Sequence, residues 1–550
     1  MQDKKQGMIE QVLEMINTLI EVAVHLKNCA SKKDYAQFET IALGIKSVLE
    51  SIVPTVHMLK EEIPHISGPV SCENLLYSIQ NILQLARTRS ERLIGKVEFE
   101  LIPILQDFYY DFYYFTSIFG NKEKEILHYK DEFVKLTANH YIDRSLETGV
   151  YKYKVTIAVI AYNKLEYTQQ CIQSVLKYTP NYIDYELVLI NNGSTDGTSE
   201  FFESLSPSKI FTLKENSLNI IAGAINRIFE GEYLLVISND VIVTEGYLDN
   251  LISCIQSDPT IAMVVPTTPN VSNFQTISTQ YSTLEEMHLF AKQNNKSDPA
   301  RWEERTRLVN PLTFYRSDVA LSSQGVGGHD KYFVYGEFSD DSLAIRLRHA
   351  GYKMILAKDC YCHHFGSVTL KEAQVKDNTL EKSRNLFIER HGIDAWSTGF
   401  CYDETFIQSL NIKLTEHVNI LGINSGFGSS PLKIKNIYKE AGLKSINLCY
   451  WIEDIRYASD LRTFTDQVIV VEENIIDTPT DIAYDYILLE SNIEQVMSMP
   501  QSLEKIRSML ADDGTLAVCA INDQEVRLLN ELEPSNVISG IIGKWYCWSK

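Results

Sequence analysis

From Tyr151 onward short, continuous apolar runs alternate with polar loops and apolar residues at helical spacing. VTIAVIAY, YELVLINN and EYLLVISND are such runs, rich in β-branched residues. Between the first two, Cys171, Ile172, Val175 and Leu176 form a helical stripe that Pro180 terminates. Runs that are apolar throughout suit strands buried on both faces, and their alternation with helices implies βαβ units in a parallel sheet. The polar residues that end each run then gather along the carboxyl edge of the sheet, where open α/β sheets bind ligands.

A chain of 550 residues is long enough for several such cores. The expected architecture is multidomain α/β, divided into a helical region at 1–148, a first α/β region at 151–400 and a second at 415–550. In the helical region, Ile9, Val12, Ile16, Ile20 and Ala23 recur at helical spacing, as do Ile41, Ile45, Leu49 and Val53. Pro54 is expected to close that second helix, and Ser71 to cap the next one, through Leu75, Ile79, Ile82 and Leu85. The aromatic segment FELIPILQDFYYDFYYFTSIF is expected to be bundle core rather than a binding surface. The region holds no metal-ligand or nucleophile constellation; it is expected to bind a partner, a second subunit or an acceptor. In the last region HVNILGINSGFG suggests a strand entering a Gly-rich turn, and SINLCYWIED, DYILLES and GTLAVCAIN suggest second, fourth and fifth strands.

The net charge of −21 argues against nucleic acid or an anionic membrane as the main partner, because both select basic surface. Ten cysteines without a C-x-x-C pair suggest free thiols in a reducing compartment. MQDKKQGMIEQVLEM lacks the apolar core of a signal peptide, and no apolar run looks long enough to cross a bilayer, so a cytoplasmic location is expected.

Five motifs follow in fixed order: IAVIAYNKLEYTQQCIQSVL, INNGSTDGT, LLVISND, FSDDSLAIRLRHAGYK and CYCHHFGS. Together, over about 153–392, they resemble the inverting family 2 glycosyltransferases with a GT-A fold. The resemblance implies that Ala161, Tyr162 and Asn163 contact a donor nucleotide. It places Asn192 and Asp196 on the nucleotide side and Ser238 and Asn239 beside the diphosphate. Asn226 stands where the family has an asparagine, and Ile220 replaces a family glycine. Asp240 ends LLVISND, where the family holds a divalent cation; Ser238 replaces the first acid of that motif. Oxygen ligation suits Mn²⁺ or Mg²⁺, which would neutralise the departing diphosphate. His363 matches the histidine that completes the metal shell, with the adjacent His364 as competitor. Asp340 aligns with the general base that takes the acceptor proton in a single inverting displacement. The bland alternative is that Asp340 and Asp341 merely cap a helix. The glycine-rich and aromatic GVGGHDKYFVYGE resembles an acceptor-facing loop.

HVNILGINSGFGSS and ADDGTLAVCAIN resemble the first and fifth strands of class I methyltransferases. Gly422, Gly426 and Gly428 would let backbone approach a cofactor. Asn424 and Ser425 stand where the usual acid is missing, Glu453 is the one convincing acid after the second strand, and the chain stops soon after the fifth. A non-catalytic, Rossmann-like domain for docking or dimerisation is the expectation. The leading expectation of function is a metal-dependent transferase that moves a sugar from a nucleotide-sugar donor to a glycan or protein hydroxyl. The alternatives are a non-catalytic sugar-nucleotide scaffold and a bifunctional glycosyl and methyl transferase. Homo-oligomerisation through either flanking domain remains open.

Overall fold

The computed structural model describes residues 2–63, 66, 68–89, 93–97, 101–113, 116–117, 151–214, 216, 229–320, 333, 336–349, 351–366, 378–391, 393–396, 400–410, 412–454, 457–471, 480–490, 505–520 and 544–549. Asn226, Ile220 and most of GVGGHDKYFVYGE lie outside these residues.

The N-terminal part is helical: Gln2–Ser31, Tyr35–Glu62, Gly68–Arg87, Leu93–Lys96 and Ile102–Tyr113. Two expected boundaries differ. The second helix runs straight through Pro54, because Ile52, Val56 and Leu59 bury on either side of it and the packing outweighs the one lost amide donor. The third begins at Gly68, so Ser71 lies inside it rather than capping it; Pro69 supplies the preset φ of a first helical turn. Phe108 and Phe112 meet edge to face in the bundle core, as the aromatic segment suggested. By length and composition Tyr35–Glu62 is apolar enough to cross a bilayer, contrary to expectation, yet its buried residues, Phe38 to Leu59, belong to the core of the bundle.

The central sheet has eight strands: β1 Tyr153–Ala161, β2 Tyr185–Asn191, β3 Lys209–Thr212, β4 Gly231–Ser238, β6 Ile261–Thr267, β7 Trp302–Glu304, β8 Leu312–Arg316 and β9 Lys353–Tyr361. Their spatial order is β3-β2-β1-β4-β8-β6-β9-β7. β3, β2, β1 and β4 run parallel, whereas β8 is antiparallel to both β4 and β6. The mixed sheet resembles the GT-A architecture expected from the motifs. A small antiparallel pair, β5 Val241–Ile242 with β10 His363–His364, closes its carboxyl edge.

The period of two along a strand explains the layering. Val155, Ile157, Val159 and Ala161 of β1 enter one apolar layer, against Cys171, Ile172 and Val175 of the helix Leu165–Tyr178. Ala158 enters the opposite layer, which is continuous with the core of the N-terminal helices.

The third region carries β11 His417–Ile423, β12 Ser445–Ile452, β13 Val468–Val470, β14 Tyr484–Leu489, β15 Leu510–Ala520 and β16 Lys544–Ser549. The order is β13-β12-β11-β14-β15-β16, parallel except for β16. The expectation of little chain after the fifth strand needs correction, since KWYCWS forms an antiparallel edge strand paired along Thr515–Ala520. This region packs directly on the central sheet. Lys433 and Lys435 of its first helix, Ser429–Glu440, reach Glu303 and Glu304 of β7 at 2.6 and 2.8 Å, and Lys439 donates to the Trp302 carbonyl.

Candidate active site

The parallel order β2-β1-β4 places three strand ends side by side, and Asn163 ties them together. Its amide donates to Ser194 Oγ at 2.8 Å and its side-chain oxygen accepts from the Thr195 amide at 2.9 Å. Its carbonyl accepts from Asn239 Nδ2 at 2.9 Å, and the same Nδ2 reaches Thr168 Oγ1. Asn163 and Lys164 both have positive φ, 53° and 61°, conformations that concentrate at functional sites because they must be held by their surroundings. Ala161 turns its carbonyl to the Asn192 amide, and Tyr162 lies between these two ties, half-buried.

Two residues placed on the nucleotide side are engaged within the protein. Asn192 is buried and donates its Nδ2 to Asn216 at 2.7 Å. Asp196 accepts from the Leu165 amide and from Thr198 Oγ1, at 2.8 and 2.6 Å. Burial opposes its charge, but these hydrogen bonds outweigh it and hold the carboxyl below the usual carboxylate range. Asp196 therefore joins the second loop to the start of the helix Leu165–Tyr178.

Asp240 and the histidine pair meet across β5 and β10. Here the structure sets the two histidines apart: His364 Nε2 lies 3.2 Å from Asp240 Oδ2, while His363 shares a 2.8 Å hydrogen bond with Tyr281. The physical reason is strand alternation, because neighbouring residues of β10 project to opposite sides and a shift of one residue exchanges them. Asn270 Nδ2 holds the His364 carbonyl, and the Phe365 amide donates to the Asp240 carbonyl. The donor set suits a hard or borderline divalent cation. Two ligands about 2.1 Å from one ion at right angles stand roughly 3 Å apart, close to the observed spacing. No group of three or more His, Cys, Asp or Glu side chains forms a metal cage among the described residues. An ion here therefore needs phosphate oxygens and water to fill its shell, as Mg²⁺ and Mn²⁺ do with nucleotide substrates.

Asp340 and Asp341 open the helix Ser339–His349, after Phe338 in left-handed conformation at φ 62°. Asp341, nearly buried, pairs with the half-buried Arg307 at 2.6 Å. Asp340 accepts from Asn310 Nδ2 at 3.1 Å. Pro311, next to Asn310, accepts from the Ser238 amide at 2.9 Å, so one short strap joins the Asp340 carboxylate to the strand end that carries Asp240. Burial pushes both carboxyls up to about 6, against the pull of Arg307. A carboxyl poised near neutrality has the character of a general base. Ser342, at the later acidic position of the motif, instead contacts His391 at 2.9 Å. Arg307 and Asn310 carried no signal of their own in the sequence; only the fold brings RLVNP beside the helix.

Residues 156–310 match the family model described as "Glycosyl transferase family 2". The match includes Asn163, Asn192, Asp196, Ser238, Asp240 and Asn310 and stops before Asp340 and His364. Among characterised proteins the chain is similar to glycosyltransferase GlyG of Streptococcus pneumoniae serotype 4, at 27% identity over 18% of this chain and 35% of that one. It is also 30% identical to an uncharacterised glycosyltransferase of Haemophilus influenzae, over 19% of this chain and 33% of that protein. The alignments thus span about a third of the length of these relatives. A crystal structure of GalNAc-T7 with UDP, GalNAc and Mn²⁺ matches at 13% identity over 43% of this chain and 48% of that chain, with a TM-score of 0.34, too slight a likeness to argue from. The central part of the chain, over residues 156–310, is thus similar to the glycosyltransferases of family 2.

Proposed function

We propose that the chain transfers a sugar, with inversion, from a nucleoside-diphosphate donor to a hydroxyl acceptor. The observation that carries this reading is the Asn310–Pro311 strap, which sets a carboxylate raised toward neutrality beside the strand end bearing the Asp240–His364 pair. The nucleotide is assigned to the loops knitted by Asn163, Ser194 and Asn239, at the carboxyl ends of β1, β2 and β4. Asp240 and His364 would hold Mn²⁺ or Mg²⁺, which neutralises charge on the departing diphosphate. Asp340 accepts the proton of the attacking hydroxyl while Asn310 fixes the carboxylate's orientation. Arg307, paired with Asp341, keeps the second acid charged beside the base. The acceptor is a glycan or protein hydroxyl, met in the cytoplasm.

The test is direct. Purified protein with Mn²⁺ should slowly hydrolyse one member of a sugar-nucleotide panel, releasing nucleoside diphosphate and the inverted sugar. Absence of release across the panel, with tight nucleotide binding retained, favours the second reading, a sugar-nucleotide-binding scaffold. Ser238 in place of the first motif acid is the observation behind that alternative.

For the third region we propose a methyltransferase-like fold without methyl transfer. Its strand order and antiparallel edge fit such a fold. Its glycine-rich loop, however, buries Phe427 in an aromatic cluster shared with the central domain.

A further inference from the structure

The helix that begins with Asp340 and Asp341 ends near Arg348, and Arg348 is completely buried. Its Nε donates to Asp460 Oδ1 at 2.7 Å, and Asp460 too has no exposed surface. Asp460 belongs to the third region, in the short helix Ala458–Leu461. The guanidinium also lies 5.4 Å from the centre of the Phe427 ring, which the glycine-rich loop of that region delivers, and 5.9 Å from Phe400. Phe400 and Phe427 contact each other at 4.5 Å, and Arg307 lies over Phe400 at 5.5 Å. The two arginines that flank the acids therefore share one aromatic support, half of which comes from the third region.

Asp341 and Arg348 are seven residues apart, two helical turns, so they share a face about 10 Å apart along the axis. The Nη1 and Nη2 atoms of Arg348 make no hydrogen bond among the described residues. An arginine that serves packing alone finds partners for those atoms or is replaced by an apolar side chain, because a desolvated ion pair seldom adds stability over one. What Arg348 does provide, in a medium of low polarity, is a fixed positive charge below the two carboxylates.

We infer that the third region completes the transfer site: Asp460 and Phe427 hold Arg348, a positioning residue, and through it set the charge balance of the Asp340–Asp341 pair. The inference rests on the glycosyl-transfer reading above and assigns the third region a part in it. Among the described residues the charged and titratable groups around the pair include Arg307 from the strap, Tyr315 from β8 with Arg346 acting on it, Cys401 beside Arg307, His391 through Ser342, and Arg348 with Asp460 behind. The charge of Arg348 pulls the Asp341 carboxyl down, against its burial.

The test uses the full-length chain and Asp460→Asn, which keeps the shape and removes the counter-charge. The unbalanced Arg348 should lower the acid midpoint of Mn²⁺-supported sugar-nucleotide hydrolysis by about one pH unit. Asp460→Glu should return it. The double variant Arg348→Gln with Asp460→Asn, which buries no lone charge, should move the midpoint up. Cys401 gives a readout without turnover: it is exposed and its Sγ lies 3.8 Å from Arg307 Nη1. The pH midpoint of its alkylation by iodoacetamide should move in the same directions. Identical midpoints in wild type and all variants, by both readouts, overturn the inference and leave glycosyl transfer standing. A wild type without turnover removes the parent reading, while the Cys401 midpoints still decide whether Arg348 acts on the pair.

Discussion

His364 Nε2 stands 3.2 Å from Asp240 Oδ2, and the ring of His363, one residue earlier, points the other way to Tyr281. The two histidines thus have different partners, and the proposed metal site makes them separable by experiment. His364→Ala should weaken Mn²⁺ dependence, raising the Mn²⁺ concentration for half-maximal hydrolysis by about 10–100-fold. His363→Ala should change that concentration by less than about threefold, because its loss falls on the hydrogen bond to Tyr281. Manganese titrations of the two variants, read by hydrolysis or electron paramagnetic resonance, settle the order; equal losses would remove His364 as the ligand.

Asp340→Asn should abolish transfer, by about 10²–10⁴-fold, while donor affinity measured by calorimetry stays within a few fold. Wild-type turnover should rise with pH through about 6, since both acids titrate there as a coupled pair. An unchanged rate in the variant would reduce Asp340 to a helix cap.

The same carboxyl makes an opposite prediction for stability. Its folded pKa is raised, so the stability it contributes is full below an unfolded pKa of about 3.9 and is lost as pH rises through about 6. At pH 8 Asp340→Asn should therefore stabilise the protein, by up to roughly 2–3 kcal/mol, and at pH 4 it should be nearly neutral. Thermal melts at the two pH values check the sign. A variant less stable at pH 8 would show that Asp340 is there for structure.

Much of this was legible in the chain because strands buried on both faces announce themselves. VTIAVIAY and LLVISND became β1 and β4, adjacent and parallel, and that pairing alone put Asn163 beside Asn239. What the motifs could not resolve was direction at a strand end. His363 and His364 differ by one residue and hence by a whole face, which is finer than alignment of a short motif can decide. Nor could they show which polar side chains are consumed internally: Asn192 and Asp196 sit at nucleotide-side positions but spend their hydrogen bonds on Asn216, Leu165 and Thr198. Arg307, Arg348 and Asp460 were invisible because their partners lie far away in sequence and only folding joins them. Pro54 and Ser71 misled for a related reason, as local propensity yields to packing of an apolar face.

Asp196→Ala removes the acceptor of the Leu165 amide and of Thr198 Oγ1. By analogy with a lost helix cap the cost should be about 0.5–2 kcal/mol. Because the same contact fixes the loop that carries Asn163, KM for the donor should rise several fold with kcat little changed. Steady-state kinetics distinguish this from a direct catalytic role, in which kcat would fall instead.

The glycine-rich loop of the third region makes the last case. In a cofactor-binding loop, glycines leave room for a ligand against the backbone. Here the space beside Gly428 is taken by protein: with φ 82°, a side chain there would meet Leu461 at 2.4 Å and the Tyr450 hydroxyl at 2.8 Å. Tyr450 itself donates to the Gly428 carbonyl, and Phe427 is fully buried against Phe400 and Tyr457. The loop is thereby committed to the contact with the central domain. Calorimetry with S-adenosylmethionine should accordingly give no binding heat up to millimolar concentration, and Gly428→Ala should destabilise the whole chain. Saturable binding at micromolar ligand would show that the loop opens, and would return methyl transfer to consideration.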